Sequence, residues 1–155
     1  MLEIGHPAPQ FSLPDAAMQM VSLSSYKGKR HIVLYFYPKD DTPGCTLQAQ
    51  EFSDLEDEYD KQSALVFGIS GDDCLSHASF RDKHGLSVQL LADTEHMACK
   101  KYGVLQEKEK DGVKKMCITR ATFIIDSHGI LRHAMHDVNP RGHAAEVLKI
   151  IKELQ

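Results

Sequence analysis

Three stretches of the chain are apolar almost without interruption. They are His31-Ile32-Val33-Leu34-Tyr35-Phe36-Tyr37, Ala64-Leu65-Val66-Phe67-Gly68-Ile69-Ser70 and Ala121-Thr122-Phe123-Ile124-Ile125. A strand with no polar alternation is buried on both faces, as at the centre of a parallel sheet. Val88-Gln89-Leu90-Leu91 is a shorter strand of the same kind. Phe11 and Leu13 alternate with polar neighbours, and Met20-Val21-Ser22-Leu23 returns after a turn at 15–19, so an N-terminal hairpin is expected, with Met18 and Met20 packed in it. Asp126-Ser127-His128-Gly129 is a tight turn from which Ile130–His136 comes back antiparallel.

Between the strands the spacing is helical. Pro38 ends the first apolar run, Pro43 suits the first position of a helix, and Thr42 can cap it. Cys45, Ala49, Phe52, Leu55 and Tyr59 fall on one stripe of a single helix, with Gln48, Glu51, Asp54 and Asp57/Glu58 on the opposite face. A second helix of about 74–84 is capped by Asp72-Asp73 and ended by Gly85. Its stripe, Leu75 and Ala78, is weak, so it should lie on the surface. Asp93-Thr94 caps a short helix through Met97, Ala98 and Tyr102. Ala144, Val147, Leu148, Ile151 and Leu154 give an amphipathic helix at 142–154. Asp111-Gly112 signals a hairpin turn between two charged segments of a solvated ribbon. The order predicts an α/β fold with a central mixed sheet flanked by helices, its core parallel and its last strands antiparallel. Without repeats or linkers, 1–155 is read as a single domain.

Composition narrows the function. The chain is 42% apolar and 26% charged, an ordinary folded protein, and its net charge of −4 favours neither nucleic acid nor an anionic membrane. No apolar run approaches the ~20 residues of a membrane span. Met1–Pro7 has neither a basic start nor a long apolar core, so a cytoplasmic protein is expected. Cys45, Cys74, Cys99 and Cys117 form no C-x-x-C pair, which removes the usual dithiol and zinc-knuckle motifs. The histidines show no metal spacing: His133 and His136 face opposite sides of a strand, and His77 and His84 stand two helical turns apart. Gly68-x-x-Gly71 is too short for a phosphate loop, so no metal or cofactor is expected.

The turn from Tyr37 to Thr46 carries the candidate chemistry. It delivers Cys45 to the first turn of a helix, where unpaired N–H groups and the helix dipole favour a thiolate. Only the thiolate is a good nucleophile. An arginine nearby would add to the effect. Thr42 can place a hydroxyl near the sulfur, and Pro38 and Pro43 restrict the backbone and remove donors that would admit water. The same pattern also fits a buried cysteine that fills the helix seam.

The run Tyr35-Phe36-Tyr37-Pro38-Lys39-Asp40-Asp41-Thr42-Pro43-Gly44-Cys45-Thr46 resembles the peroxidatic signature of peroxiredoxins, P-x-x-x-T-x-x-C. Its T-P-G-C-T form is that of the bacterioferritin comigratory protein (peroxiredoxin Q) subfamily of the AhpC/TSA family. The likeness extends to Gly5–Pro14, Gly68-Ile69-Ser70 and Arg120–Asp126. It implies a thioredoxin-like fold with an added N-terminal β-hairpin. It implies a thiol-specific peroxidase, an antioxidant enzyme of cell redox homeostasis, that reduces hydrogen peroxide and organic hydroperoxides without metal or haem. Cys45 matches the peroxidatic cysteine, Thr42 the threonine that hydrogen-bonds thiolate and peroxide, and Pro38 the shielding proline. Arg120 matches the arginine that holds the thiolate, and Gly44, Pro43 and the Cys45 N–H form the substrate side. The resemblance also implies thioredoxin, glutaredoxin or a small thiol as reductant, and a monomer.

One feature departs from that subfamily. Many members carry a resolving cysteine five positions after the peroxidatic one, where this chain has Gln50. Others carry it on the next helix, at a place that aligns nearer Arg81 than Cys74. A one-cysteine peroxidase resolved by an external thiol is therefore expected, with Cys74 and Cys99 as possible internal resolving residues. Cys117 is expected to be structural. A peroxide sensor or redox interaction module using Cys45, and a chaperone or structural role, are the competing classes.

Overall fold

A computed structural model describes residues 2–154, so Met1 and Gln155, the ends of the expected 1–155 domain, lie outside the described residues. The N-terminal hairpin forms from β1 (Ser12–Pro14) and β2 (Met20–Ser22), followed by a short 3-10 turn at Leu23–Tyr26. The central sheet contains β3 (His31–Phe36), β4 (Ala64–Ser70), β5 (Gln89–Ala92), β8 (Ala121–Ile125) and β9 (Leu131–Met135). Its spatial order is β5-β4-β3-β8-β9. β3, β4 and β5 run parallel, while β8 and β9 are antiparallel to their neighbours, as the order of elements predicted. β6 (Leu105–Lys110) and β7 (Val113–Ile118) make a separate ribbon. Asp111 and Gly112 turn it, both with positive φ, which suits a two-residue hairpin loop.

Every residue of β3 and of β8 is buried, because helices cover both faces of the sheet. The strand period sorts the core into two layers. Leu34 and Phe36 join Phe67, Phe123, Tyr102 and Cys99 on the side of the hairpin and of α4 (Met97–Lys101). Val33, Tyr35 and Tyr37 join Cys45, Phe52 and Phe80 on the other side. That second layer is closed by α1 (Pro43–Asp54), α2 (Glu56–Lys61), α3 (Cys74–His84) and α5 (His143–Glu153). Tyr35 stacks on Phe52 with ring centroids 4.6 Å apart. Gly68 on the next strand is what admits that ring, since a Cβ there would lie 2.6 Å from the phenol.

Four expectations need correcting. The helix over 43–59 is broken at Leu55 into α1 and α2, and the break keeps Tyr59 in the core, where its hydroxyl donates to the Ala144 carbonyl at 2.6 Å. Gln48 is fully buried instead of lying on a polar face. α3 packs through His77 and Phe80, while Leu75 is 68% exposed. Met18 and Met20 are both largely exposed, because the hairpin sends Leu13 and Val21 inward instead. At α3 and α4 the caps are as expected: Asp73 accepts the Ser76 N–H, Gly85 ends α3 in the left-handed region, and Asp93 accepts the Met97 and Cys99 N–H groups.

Two buried histidines make stability depend on pH. His143 stands edge-on to Phe52 with Nε2 2.8 Å from the Thr122 hydroxyl. Burial pushes its imidazole below the ordinary 6.5, with Glu146 acting weakly the other way and Arg120 adding to the depression. His31 is lowered mainly by burial too, against the pull of Asp126. A depressed folded-state value means that the unfolded chain takes up the proton first. The stabilisation is therefore present above 6.5 and is lost as pH falls through the folded-state values. The melting temperature should drop between about pH 7 and about pH 5, and His143→Gln should flatten part of that slope. An unchanged slope in His143→Gln would contradict this assignment.

Candidate active site

The turn between β3 and α1 is built from local rules. The Tyr37 N–H still pairs with the Ile69 carbonyl at 3.1 Å, but Pro38 has no N–H to offer and the pairing stops. Pro38 and Lys39 are exposed and Asp40 is buried. Asp41 takes φ +60°, a conformation Asp tolerates better than most residues. Its carboxyl is held below the usual range by hydrogen bonds from Lys83 and His84, each at 2.7 Å. Thr42 is extended and Pro43 opens α1.

Thr42 occupies the cap position but does not cap with its side chain. Its hydroxyl donates to the Lys39 carbonyl at 2.9 Å, closing the turn on itself. The first helical bond runs from the Thr46 N–H to the Thr42 carbonyl. The N–H groups of Gly44 and Cys45 precede it and are left over at the end of α1.

Cys45 is 1% exposed. Its Sγ accepts from Nη2 of Arg120 at 3.3 Å, across 75 positions of sequence. Nη1 of the same guanidinium donates to Oε1 of Gln48 at 2.7 Å. Gln48 lies one helical turn after Cys45, so one planar cation bridges two side chains of one helix face. The other side of Arg120 is fixed through its carbonyl, which accepts the Val138 N–H at 3.1 Å. Gly44 leaves room for this approach, and any other residue would make the guanidinium give by a few tenths of an ångström. A Cβ there would stand 3.1 Å from Nη2 and 3.4 Å from Pro140. The sulfur thus meets a permanent positive charge at the N-terminus of a helix, away from solvent.

Sequence reasoning brought Cys45, Gly44 and Arg120 to this place and missed Gln48 and Pro140. A polar residue at i+3 from the cysteine is the signal that could have found Gln48. Pro140 lies in an irregular segment that carries no periodic signal. Pro43 and Pro38 are exposed, and Thr42 is half-buried. The other cysteines are elsewhere. Cys74 opens α3 beside a groove lined by Leu13, Pro14 and Met97. Cys99 is in the opposite core layer, and burial, then a hydrogen bond to Asp93, pushes its thiol up. Cys117 sits half-buried on β7. Among the described residues, Asp40, Asp72 and His77 bring possible ligand atoms within 4.8 Å of one another. Those carboxylates already accept from Tyr37, Ser76, Ser70 and the Asp40 N–H, and both ring nitrogens of His77 are engaged.

Residues 4–134 match the AhpC/TSA family. The chain belongs to the AhpC/TSA family. It is 43% identical over 147 residues to a putative peroxiredoxin bcp of Coxiella burnetii, covering 95% of this chain and 97% of that one. Among solved structures, a mutant of Xylella fastidiosa PrxQ matches with a TM-score of 0.92 at 34% identity, covering 99% and 98% of the two chains. The bacterioferritin comigratory protein of Xanthomonas campestris, studied for alkyl peroxide reduction activity, matches with a TM-score of 0.88 at 33% identity over 93% and 91%. This peroxiredoxin has the thioredoxin-like fold of those neighbours and is a thiol-dependent peroxidase, with a peroxide as oxidant and a thiol as reductant. No helix of the described residues is long and apolar enough to cross a membrane.

Proposed function

We propose that the chain reduces hydrogen peroxide and organic hydroperoxides at Cys45, through a sulfenic acid that an external thiol resolves. The observation that carries the proposal is the Arg120 guanidinium on the buried Cys45 sulfur at the N-terminus of α1. The activity studied in the Xanthomonas relative supports organic hydroperoxides as a substrate class.

The Cys45 thiolate attacks the nearer oxygen of the O–O bond. A sulfur–oxygen bond forms, the O–O bond breaks, and the electron pair leaves on the far oxygen as alkoxide or hydroxide, which takes up a proton. Sulfur is oxidised by two electrons and the peroxide is reduced to alcohol or water. The Gly44 and Cys45 N–H groups and Arg120 stabilise the charge that develops on oxygen. The Thr42 hydroxyl, which donates a hydrogen bond to the Lys39 carbonyl, keeps its lone pairs to accept the hydroperoxide O–H. Pro38 and Pro43 form the rim over this pocket. The sulfenic acid then condenses with a thiol, releasing water, before further oxidation can reach sulfinic acid.

Where the other thiols stand supports an external reductant. Gln50 is exposed and carries no sulfur, Cys99 is behind the sheet, and Cys74 faces a groove made by other elements. Thioredoxin, glutaredoxin or a small thiol fills the role, and the chain acts as a monomeric single domain in the cytoplasm. Replacing Cys74, Cys99 and Cys117 together should leave turnover with an external thiol within about threefold of the parent. Loss of turnover with the first oxidation retained would refute external resolution. In the unmodified chain, consumption that stops after one equivalent of peroxide would point instead to a sensor.

A further inference from the structure

We propose that His77 is a positioning residue for the peroxide-reducing site. Buried between Asp40 and the Leu91 carbonyl, it clamps Asp40 and so sets the turn that carries Thr42 and starts α1. The inference rests on the proposed role of Cys45 and extends it to α3.

Asp40 lies inside the turn, with its side chain 4% exposed. Its carboxylate accepts from Tyr37 at 2.6 Å and from Ser76 at 2.8 Å, and it lies 2.8 Å from Nδ1 of His77. Its N–H donates to Asp72 at 2.8 Å, and Asp72 is held in turn by the Ser70 hydroxyl. His77 is fully buried, and its second nitrogen, Nε2, lies 3.0 Å from the Leu91 carbonyl. A carbonyl can only accept. Both ring nitrogens of His77 thus face oxygen atoms, one on the turn and one on β5, so the imidazole ties the two together. Removing one partner leaves a buried polar group without its hydrogen bond, which is costly, so the link is stiff. A second link, from Asp41 to Lys83 and His84, ties the same turn to the last turn of α3 in solvent. The turn is thus fastened to α3 at both ends of that helix.

The clamp acts in opposite directions on the two halves of the reaction. Attack on peroxide needs Thr42 and the α1 N–H groups held in place, because small displacements there are costly. Resolution needs the reverse. The oxidised sulfur is buried, and a thiol must reach it in line to form the disulfide and release water. Loosening the turn should slow the first step and quicken the second.

The test is His77→Gln in the full chain, measured in two separate half-reactions. Intact-mass sampling after acid quench follows each, since the chain has no tryptophan to report. Cys45 oxidation by one equivalent of hydrogen peroxide should slow by about tenfold or more. Capture of preformed sulfenic acid by 2-mercaptoethanol should quicken severalfold. Asp40→Asn should act likewise, and the double variant should fall short of the summed effects, as coupled partners do. If His77→Gln does not fold, Asp41→Asn, which breaks only the exposed link, should move both rates in the same directions by less. Rates that stay unchanged in a folded variant, or that fall together, would overturn the proposal. If the parent itself shows no oxidation of Cys45, the reading of the site fails and the clamp fails with it.

Discussion

Cys45→Ser should abolish peroxide consumption while leaving the fold in place. The exchange replaces sulfur by the smaller oxygen at a side chain that is 1% exposed, so it removes little volume from the seam formed with Ala49 and Phe52. Chemically it removes the step. An alcohol is not ionised near neutral pH even beside a guanidinium, and Arg120 would then face a neutral hydroxyl. The loss in turnover with a thiol reductant should be at least about three orders of magnitude. Circular dichroism and the melting temperature should stay close to those of the parent. A rate within tenfold of the parent would move the chemistry to another residue.

Removing the cation should cost almost as much without removing the nucleophile. Arg120→Met keeps the apolar stem but loses both forks of the guanidinium, one on Cys45 and one on Gln48. The second-order rate of Cys45 oxidation should fall by roughly 10²–10³-fold, the range for losing a preorganised group that meets developing charge. Arg120→Lys should recover only part of this, since an ammonium is a point charge that cannot bridge Sγ and Oε1 with one rigid plane. Gln48→Ala should give a smaller loss, on the order of tenfold, by freeing the guanidinium to turn. Stopped oxidation followed by mass analysis reads all three variants. Arg120→Met at the parental rate would show that the 3.3 Å contact does not contribute to the chemistry.

Much of this arrangement is legible along the chain because burial leaves a period. The unbroken apolar runs at 31–37, 64–70 and 121–125 could only be strands covered on both faces, and β3, β4 and β8 are those strands. Pro38, Pro43 and Gly85 mark ends by the backbone they forbid or permit, so the limits of β3, α1 and α3 were readable. What the pattern hides is polar residues that face inward. Gln48 looked like part of a charged face, and only the approach of Arg120 from 72 positions away gives its amide a partner. His77 carries no signal along the chain beyond a spacing from His84 that excludes a shared metal. Its role depends on Asp40 and Leu91, which come from the turn and from another strand. Thr42 was a sound cap by type, but its hydroxyl had a nearer acceptor in Lys39. The role of Arg120 came from the family likeness, because nothing in its own neighbourhood of sequence points to a sulfur.

The central claim is that peroxide oxidises Cys45 and that no other thiol of the chain then closes on it. Mass analysis of the intact protein after one equivalent of hydrogen peroxide, with dimedone present and a digest to locate the adduct, tests both parts at once. The account predicts a single adduct on Cys45, with Cys74, Cys99 and Cys117 still free to alkylate. A disulfide joining Cys45 to any of them, or an unmodified Cys45 beside an oxidised neighbour, would contradict it.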